Sequence, residues 1–583
     1  MAESVPTPII LAVDIGAANT RASLFDIVNG VYRLVAHGTA PTTVEPPYLD
    51  ISEGLRHALL HIQDATGRTL LNENSRLIMP ATPDDNGVDA VVATASAGPV
   101  IRTALVGLLP EVSLDSARRT AETAYISVIE TLSLSDQRRE DRQIDALLAA
   151  RPNLIIIAGG TDGGASEAVL RLTETVGLAC HLMPAASRPQ ILYLGNAALQ
   201  SRVRELLESV TTVHTAPNVR PTLEEEVIEP GRAALAAVIE ELRQNQLGGF
   251  RDLAQLSGGR ILPTAQAEGQ IVHYLNRIGD THKGTLAISI GSATTVVAAV
   301  LNDELHLQVC PESGVGINAA TALKDMPLEH FLRWVPEEIT PEEMHNFILH
   351  KSAYPHTLPD NPADLHLELA LARQIGRNAL RRARLTWPHN VAGSRTDLTP
   401  WFDRLFASGA VFGQAHCPGI AALLLLDIVL PTGITTLWLD AYHLLAAAGA
   451  IATVHPIAAA QILTTDALLN LGPAISLVGR ARPGTVICEA HLAPSGGGER
   501  SVEVKYGEIE VLKLENGQTA RLILKPRLGI DAGFGPGRSK TITVSGGAVG
   551  VILDGRGRPL AFPDTALKRR AAVHNWIAKV GGV

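Results

Sequence analysis

One motif occurs twice in this chain and constrains its fold more than any other feature. Leu11-Ala12-Val13-Asp14-Ile15 is an apolar strand that runs into a short glycine turn, Gly16-Ala17-Ala18-Asn19-Thr20, and a second apolar strand follows. The same rhythm returns at Leu286-Ala287-Ile288-Ser289-Ile290-Gly291-Ser292-Ala293-Thr294-Thr295. One such hairpin in each half predicts an α/β chain with two duplicated lobes, whose turns form the two jaws of a phosphate clamp.

The residues of the first turn suit that chemistry. An aspartate at a strand end, Asp14, can hold a hydrated Mg²⁺, while turn amides and the Thr20 hydroxyl meet phosphate oxygens. Gly16 lets the backbone come close, since a side chain there would push the phosphate out. The plainer alternative is a β-turn capped by an Asx-type hydrogen bond. The second copy carries Ser289 where the first has Asp14, so it brings no charge to hold a dication or orient an attacking water. Because phosphoryl transfer depends on neutralising developing charge, slow or absent turnover is expected. Asp303 and Glu312 follow the second hairpin and would replace the missing acid only if the fold turned them inward.

Two more glycine turns stand out. Ser408-Gly409-Ala410 ends a strand and leaves room for a planar base against bare backbone, or else is simply a strand-to-helix junction. Leu154 to Ala158 is a continuous apolar run, as in a strand covered on both faces. It opens into Gly159-Gly160-Thr161-Asp162-Gly163-Gly164, read either as a loop gripping a ligand or partner, or as a turn with Asp162 bonded to its own backbone. Ligands collect at such strand ends in open α/β sheets. There is no G-x-x-x-x-G-K-[ST] string and no HExxH, which argues against a P-loop enzyme and a zincin.

At 583 residues the chain should hold several domains. With 46% hydrophobic but only 4% aromatic residues, its cores should be packed by Ala, Val, Leu and Ile. A formal charge of -10 without a long basic run speaks against nucleic acid as a partner. The densest basic stretch, Arg373, Arg377, Arg381, Arg382 and Arg384, reads as a solvated face. The four cysteines are scattered, as reduced thiols would be. Met1 to Pro8 carries no positive charge, unlike a signal peptide, and the longest greasy passage is too short to span a bilayer. A cytoplasmic address is expected.

The boundaries are placed as follows. Residues 9–108 form the first part of lobe I with its phosphate hairpin, and 109–214 an α/β domain carrying the 158–164 loop. Residues 215–475 form lobe II, with the second hairpin and a helical insertion at 329–395. Residues 476–583 form a C-terminal β-rich domain with a closing helix, with Asn516-Gly517 as a hairpin turn.

The Asp14 and Ser289 hairpins, with Ser408-Gly409, resemble the three nucleotide loops of the actin, Hsp70 and sugar-kinase superfamily. A more specific resemblance runs through Asp14-Ile15-Gly16, Ala40 to Glu45, Ala95-Ser96-Ala97-Gly98, Gly107 to Pro110, Ala158 to Gly164, Ala216 to Val219, Pro431-Thr432-Gly433 and Leu445 to Gly449. In that order they resemble the MutL family associated with glutamate mutase, which is not the mismatch-repair protein of the same name. The resemblance implies an actin-like ATPase fold that binds ATP or ADP with Mg²⁺. It further implies a chaperone or reactivating factor for an adenosylcobalamin-dependent mutase. Asp14, Gly16, Asn19 and Thr20 would serve the first phosphate loop, with Asp14 meeting Mg²⁺ through water. Gly291, Ser292, Thr294 and Thr295 would form the second loop, and Ser408 and Gly409 would contact the nucleoside. Ser289 departs from the family's aspartate, so hydrolysis is expected to be weak or lost. A degenerate actin-like scaffold is the alternative, and a small-molecule kinase is a third reading. A homo-oligomer is left open, and no membrane partner is expected.

Overall fold

The computed structural model describes residues 8–393, 398–415, 417–465 and 468–582. In lobe I, β1 (Ile10–Ile15) is the central strand of a five-stranded sheet. It pairs antiparallel with β2 (Asn19–Val28), which pairs with β3 (Val31–Pro41). On its other side β1 runs parallel to β4 (Ala90–Ala95), and β4 parallel to the short β10 (Leu262–Pro263).

Lobe II repeats this plan. Its central strand, β11 (Gly284–Ile290), pairs antiparallel with β12 (Thr295–Leu301), and β12 with β13 (Glu304–Cys310). On the other side β11 is parallel to β14 (Phe402–Ser408), and β14 to β15 (Gly433–Leu439). Strand β12, Thr-Val-Val-Ala-Ala-Val-Leu, is buried along its whole length, which suits a β-branched run covered on both faces. The orders 10-4-1-2-3 and 13-12-11-14-15 make the fold a two-lobed, duplicated actin-like one.

Between β4 and β10 lies an inserted domain. Its strands β5 (Ile101–Gly107), β6 (Ile126–Ser133), β7 (Leu154–Ala158), β8 (Gln190–Tyr193) and β9 (Val213–Thr215) form an all-parallel sheet ordered 6-5-7-8-9. Ile101–Gly107, expected in lobe I, pairs inside this sheet instead. It is buried along nearly its whole length, so it needs neighbours on both edges and covers on both faces. The chain returns to lobe I before the helix Thr264–Arg277, which connects the two lobes.

The C-terminal region has its own four-stranded antiparallel sheet. It contains β17 (Val486–Pro494), β18 (Arg500–Lys505), β20 (Thr519–Pro526) and β21 (Lys540–Ser545). It also gives two strands to lobe II: β22 (Val551–Asp554) pairs with β16 (Leu469–Ser476), and β19 (Ile509–Leu512) pairs with β22. The β-rich region is thus stitched to lobe II by main-chain hydrogen bonds. Trp576 of the closing helix is buried, its indole donating to the Gly507 carbonyl.

The lobes meet along two helices, Thr264–Arg277 and Leu444–Ala452. They approach so closely that a Cβ on Gly449 would lie 2.1 Å from the Ala267 carbonyl oxygen. All four cysteines are free thiols. Among the described residues no helix is long and apolar enough to cross a membrane.

Candidate functional site

The two glycine turns have one geometry. In lobe I the Gly16 amide donates to the Asn19 carbonyl at 3.0 Å, and in lobe II the Gly291 amide donates to the Thr294 carbonyl at 2.8 Å. The flanking registers match as well, Ile15 opposite Thr20 and Ile290 opposite Thr295. A Cβ on Gly16 would sit 2.7 Å from the Asn19 carbonyl oxygen, so the tight turn needs glycine. The two turns line one cleft between the lobes. Asp14, Gly16 and Asn19 face Gly291, Ser292 and Thr294 across it, with Gly409 at its edge. A dipole of exposed turn amides on each side favours an anion there.

Three expected residues are elsewhere. Thr20, Thr295 and Ser408 are fully buried, with their hydroxyls donating to Thr42 Oγ1, the Ser313 carbonyl and Asp440 Oδ2. The expectation that the Thr20 hydroxyl meets phosphate is therefore corrected. Thr20 is the second residue of β2 and Thr295 the first of β12, where ladder pairing turns each side chain into the lobe, so its role is to brace the turn. Ser408 braces the acid Asp440, and its neighbour Gly409 reaches the cleft with bare backbone.

The cleft floor is acidic. Asp14 Oδ1 accepts hydrogen bonds from Thr94 Oγ1 at 2.8 Å and Thr264 Oγ1 at 2.9 Å, while Arg21 pairs with Oδ2 at 3.3 Å. Arg21 thus supplies a positive charge where a cation beside Asp14 would. Beneath Ser289 lies a second carboxyl, Glu268, one helical turn into the connecting helix. It is 5% exposed, and the nearby Ser289 hydroxyl works against the effect of that burial. Burial, reinforced by Asp440 and Asp14, pushes Glu268 up to about 8. Asp440 is also raised by burial, although its amide bonds from Leu444 and Leu445 oppose the shift. His443, at the cleft wall, is held neutral by burial with Arg21 nearby.

A neutral Glu268 has a measurable consequence. Its carboxyl titrates near 4.5 in the unfolded chain and about 8 in the folded one, so the folded state holds the extra proton between those values. Its contribution is fully present below pH 4.5 and is lost as the pH rises through about 8. Glu268→Gln, which mimics the protonated form, is expected to gain stability relative to the parent at pH 9 but not at pH 4.5. Urea unfolding at the two pH values reads the difference.

The remaining expected acids do not reach the cleft. Asp303 is exposed and pairs with His273 and Arg277, and Glu312 lines a separate hollow beside Arg118 and Arg382. The Gly159–Gly164 loop is also remote from it. This loop follows β7 beside the point where the order of the inserted sheet reverses between β5 and β7. Asp162 Oδ1 accepts from the Ala197 amide and Asn218 Nδ2, both at 2.9 Å, so long-range partners hold the loop rather than its own backbone alone.

Several cleft residues escaped the sequence reading. Tyr125 enters from the inserted domain, accepting a hydrogen bond from the Ala265 amide at the start of the connecting helix. Glu268 sits in Thr264-Ala265-Gln266-Ala267-Glu268-Gly269, a string that looks like any solvated helix.

The space between the turns is small, about 80 Å³. The residues fit a phosphate group.

The family model described as MutL protein matches residues 10–467, most of the chain. Protein MutL of Clostridium tetanomorphum is 24% identical over 304 residues, which cover 50% of this chain and 58% of that relative. Solved structures with low overall similarity include a nucleotide-free acetone carboxylase, at 11% identity and a TM-score of 0.30, covering 86% of this chain and 81% of the other. A glycerol dehydratase reactivase is similar at 12% identity and a TM-score of 0.25, covering 72% of this chain and 95% of its own. Scores this low add nothing to the strand orders above. The family match is of another weight, for it takes in both glycine turns, the connecting helix and the inserted domain, and by it this chain belongs to the MutL family and not to the mismatch-repair proteins of that name.

Proposed function

We propose that this protein is a nucleotide-binding chaperone or reactivating factor for an adenosylcobalamin-dependent mutase such as glutamate mutase, with weak or no ATP hydrolysis. The observation that carries the reading is the pair of matching turns, Gly16 to Asn19 and Gly291 to Thr294, on opposite walls of one cleft in a MutL-family chain.

ATP or ADP enters with its phosphates between the turns, where bare amides and Asn19 bind oxygens and Gly409 offers backbone to the nucleoside. Mg²⁺ carried by the phosphates would neutralise their charge, and Asp14 is the carboxylate placed to meet its water shell. Among the described residues no cluster of three metal-ligating side chains exists, so the phosphates must bring part of the coordination. Arg21 must then yield Oδ2 of Asp14. On this reading nucleotide entry shifts the two lobes about the phosphate-sized space between the turns. The motion passes through the connecting helix to Tyr125 and the inserted domain. The exposed Asp162-Gly163 tip of that domain's glycine loop is assigned to contact with the mutase, its base held by Asn218 and Ala197.

Ser289 brings no charge and Glu268 is neutral near pH 7, so no base stands ready to activate water. This favours binding with slow turnover, and it tells against a kinase, which needs a base for the acceptor hydroxyl. A pure scaffold would bind no nucleotide at all. The test is to inactivate glutamate mutase by turnover, then add this protein, fresh cobalamin, ATP and Mg²⁺. Recovery that requires nucleotide is expected; no recovery and no nucleotide-dependent binding of the mutase would refute the chaperone reading.

A further inference from the structure

The arginines of the helix Pro362–Ala383 and its end do not form a solvated stripe. Arg373, the first, is 2% exposed and pairs with Asp427. Asp427 also takes Arg556, which pairs with Asp554, which in turn takes Arg558. Three guanidinium groups and two carboxylates, none more than 3% exposed, leave one positive charge in excess inside lobe II.

That excess opens onto a pocket of about 580 Å³ on the flank of the lobe. Arg377, Arg381, Arg384 and Arg558 line it, and among the described residues no carboxylate does. Arg558 gives four of its five N–H groups to the Pro431 and Gly557 carbonyls, Ser476 and Asp554, and so contributes chiefly its field. Arg377 gives one nitrogen to the Asp427 carbonyl and lies over Trp334, and Arg384 gives one to the Leu398 carbonyl. Arg381 stands exposed at the rim, free to turn inward. Burial and then the neighbouring Arg333, Arg381 and Arg558 work against the charge on Arg377, which Asp427 only partly offsets. The opposite wall, Ile428, Val429, Leu430 and Pro559, is apolar.

We propose that this pocket is a second ligand site, separate from the cleft, for a small organic phosphate: its phosphate groups lie against Arg377, Arg381 and Arg384, and its apolar body against Ile428 to Leu430. Guanidinium forks match phosphate oxygens in pairs. Positive charge with no carboxylate among the described lining residues makes a multivalent anion the favoured occupant. The volume falls within the roughly 300–1,000 Å³ of small-molecule sites.

Pyrophosphate is the probe, titrated calorimetrically into the full chain at low salt. An Asn19→Asp background sets a carboxylate against any anion in the cleft. Binding should persist in that background, weaken at least tenfold in Arg381→Ala/Arg384→Ala, and fall with added salt. Both arginines lie outside the buried ion network, so the double variant should still unfold cooperatively, having lost only the Arg384 bond to the Leu398 carbonyl, and Arg381→Lys/Arg384→Lys should recover affinity only in part. Citrate serves as the second arm. Citrate binding as tight as pyrophosphate would overturn the assignment to phosphate. So would absence of pyrophosphate binding, or binding lost with Asn19→Asp and kept in the arginine double variant.

Discussion

Asp427→Ala is expected to cost about 3–5 kcal/mol of folding stability, the range for removing one partner of a buried ion pair. Asp427 is the only charged residue of the helix Pro418–Val429, whose other eleven residues are apolar or small and almost wholly buried. It accepts from Arg373 and Arg556 together, so its loss strands the Arg373 guanidinium in the core of lobe II and leaves Arg556 with Asp554 alone. Trp334 and Trp576 stack against those groups and offer no charge to replace it. Burial alone would raise the Asp554 carboxyl, but Arg556 and Arg558 hold it well below the usual range, so it stays ionised. The remaining carboxylate would then face three cations. Urea unfolding of parent and variant measures the loss; a change under 1 kcal/mol would show that water or a solvent anion already compensates the network.

The second large effect is expected at Gly409. Its φ of +98° lies where side chains are strained, and a Cβ there would come within 2.2 Å of the Ile290 carbonyl oxygen. Backbone strain of this kind costs about 1–3 kcal/mol by itself. The clash adds to it, because its partner is main chain at the root of the second glycine turn. Gly409→Val should therefore lower stability and also push the third loop away from the second phosphate turn. Nucleotide affinity should fall further than in a variant of equal stability loss elsewhere, such as Ile475→Ala in β16. Equal affinities in the two variants would remove Gly409 from the site.

The local pattern carried the parts of the fold that are local. A strand, a glycine turn and a strand can be read from ten residues, and the two turns proved to share one hydrogen bond and one register. The parts that failed depend on distant partners. Arg373 looks solvated beside its neighbours in sequence, yet its counter-ion stands 54 residues away. Glu268 became a buried neutral acid because other elements close over it, and Asp440 and Asp14 add negative charge beside it. The orientation of Thr20 and Thr295 followed from strand pairing, which a list of turn residues does not contain. Strands β19 and β22 read as members of a separate β domain, because edge pairing with lobe II leaves no mark in their own composition.

The measurement that bears most directly on the clamp is calorimetric titration of the full chain with ATP and with ADP, each with and without Mg²⁺, beside an Asp14→Ala control. Binding that depends on Mg²⁺ and drops at least tenfold in the control is the predicted result. No binding of either nucleotide at millimolar concentration would contradict the account and leave the two matching turns as structure without a ligand.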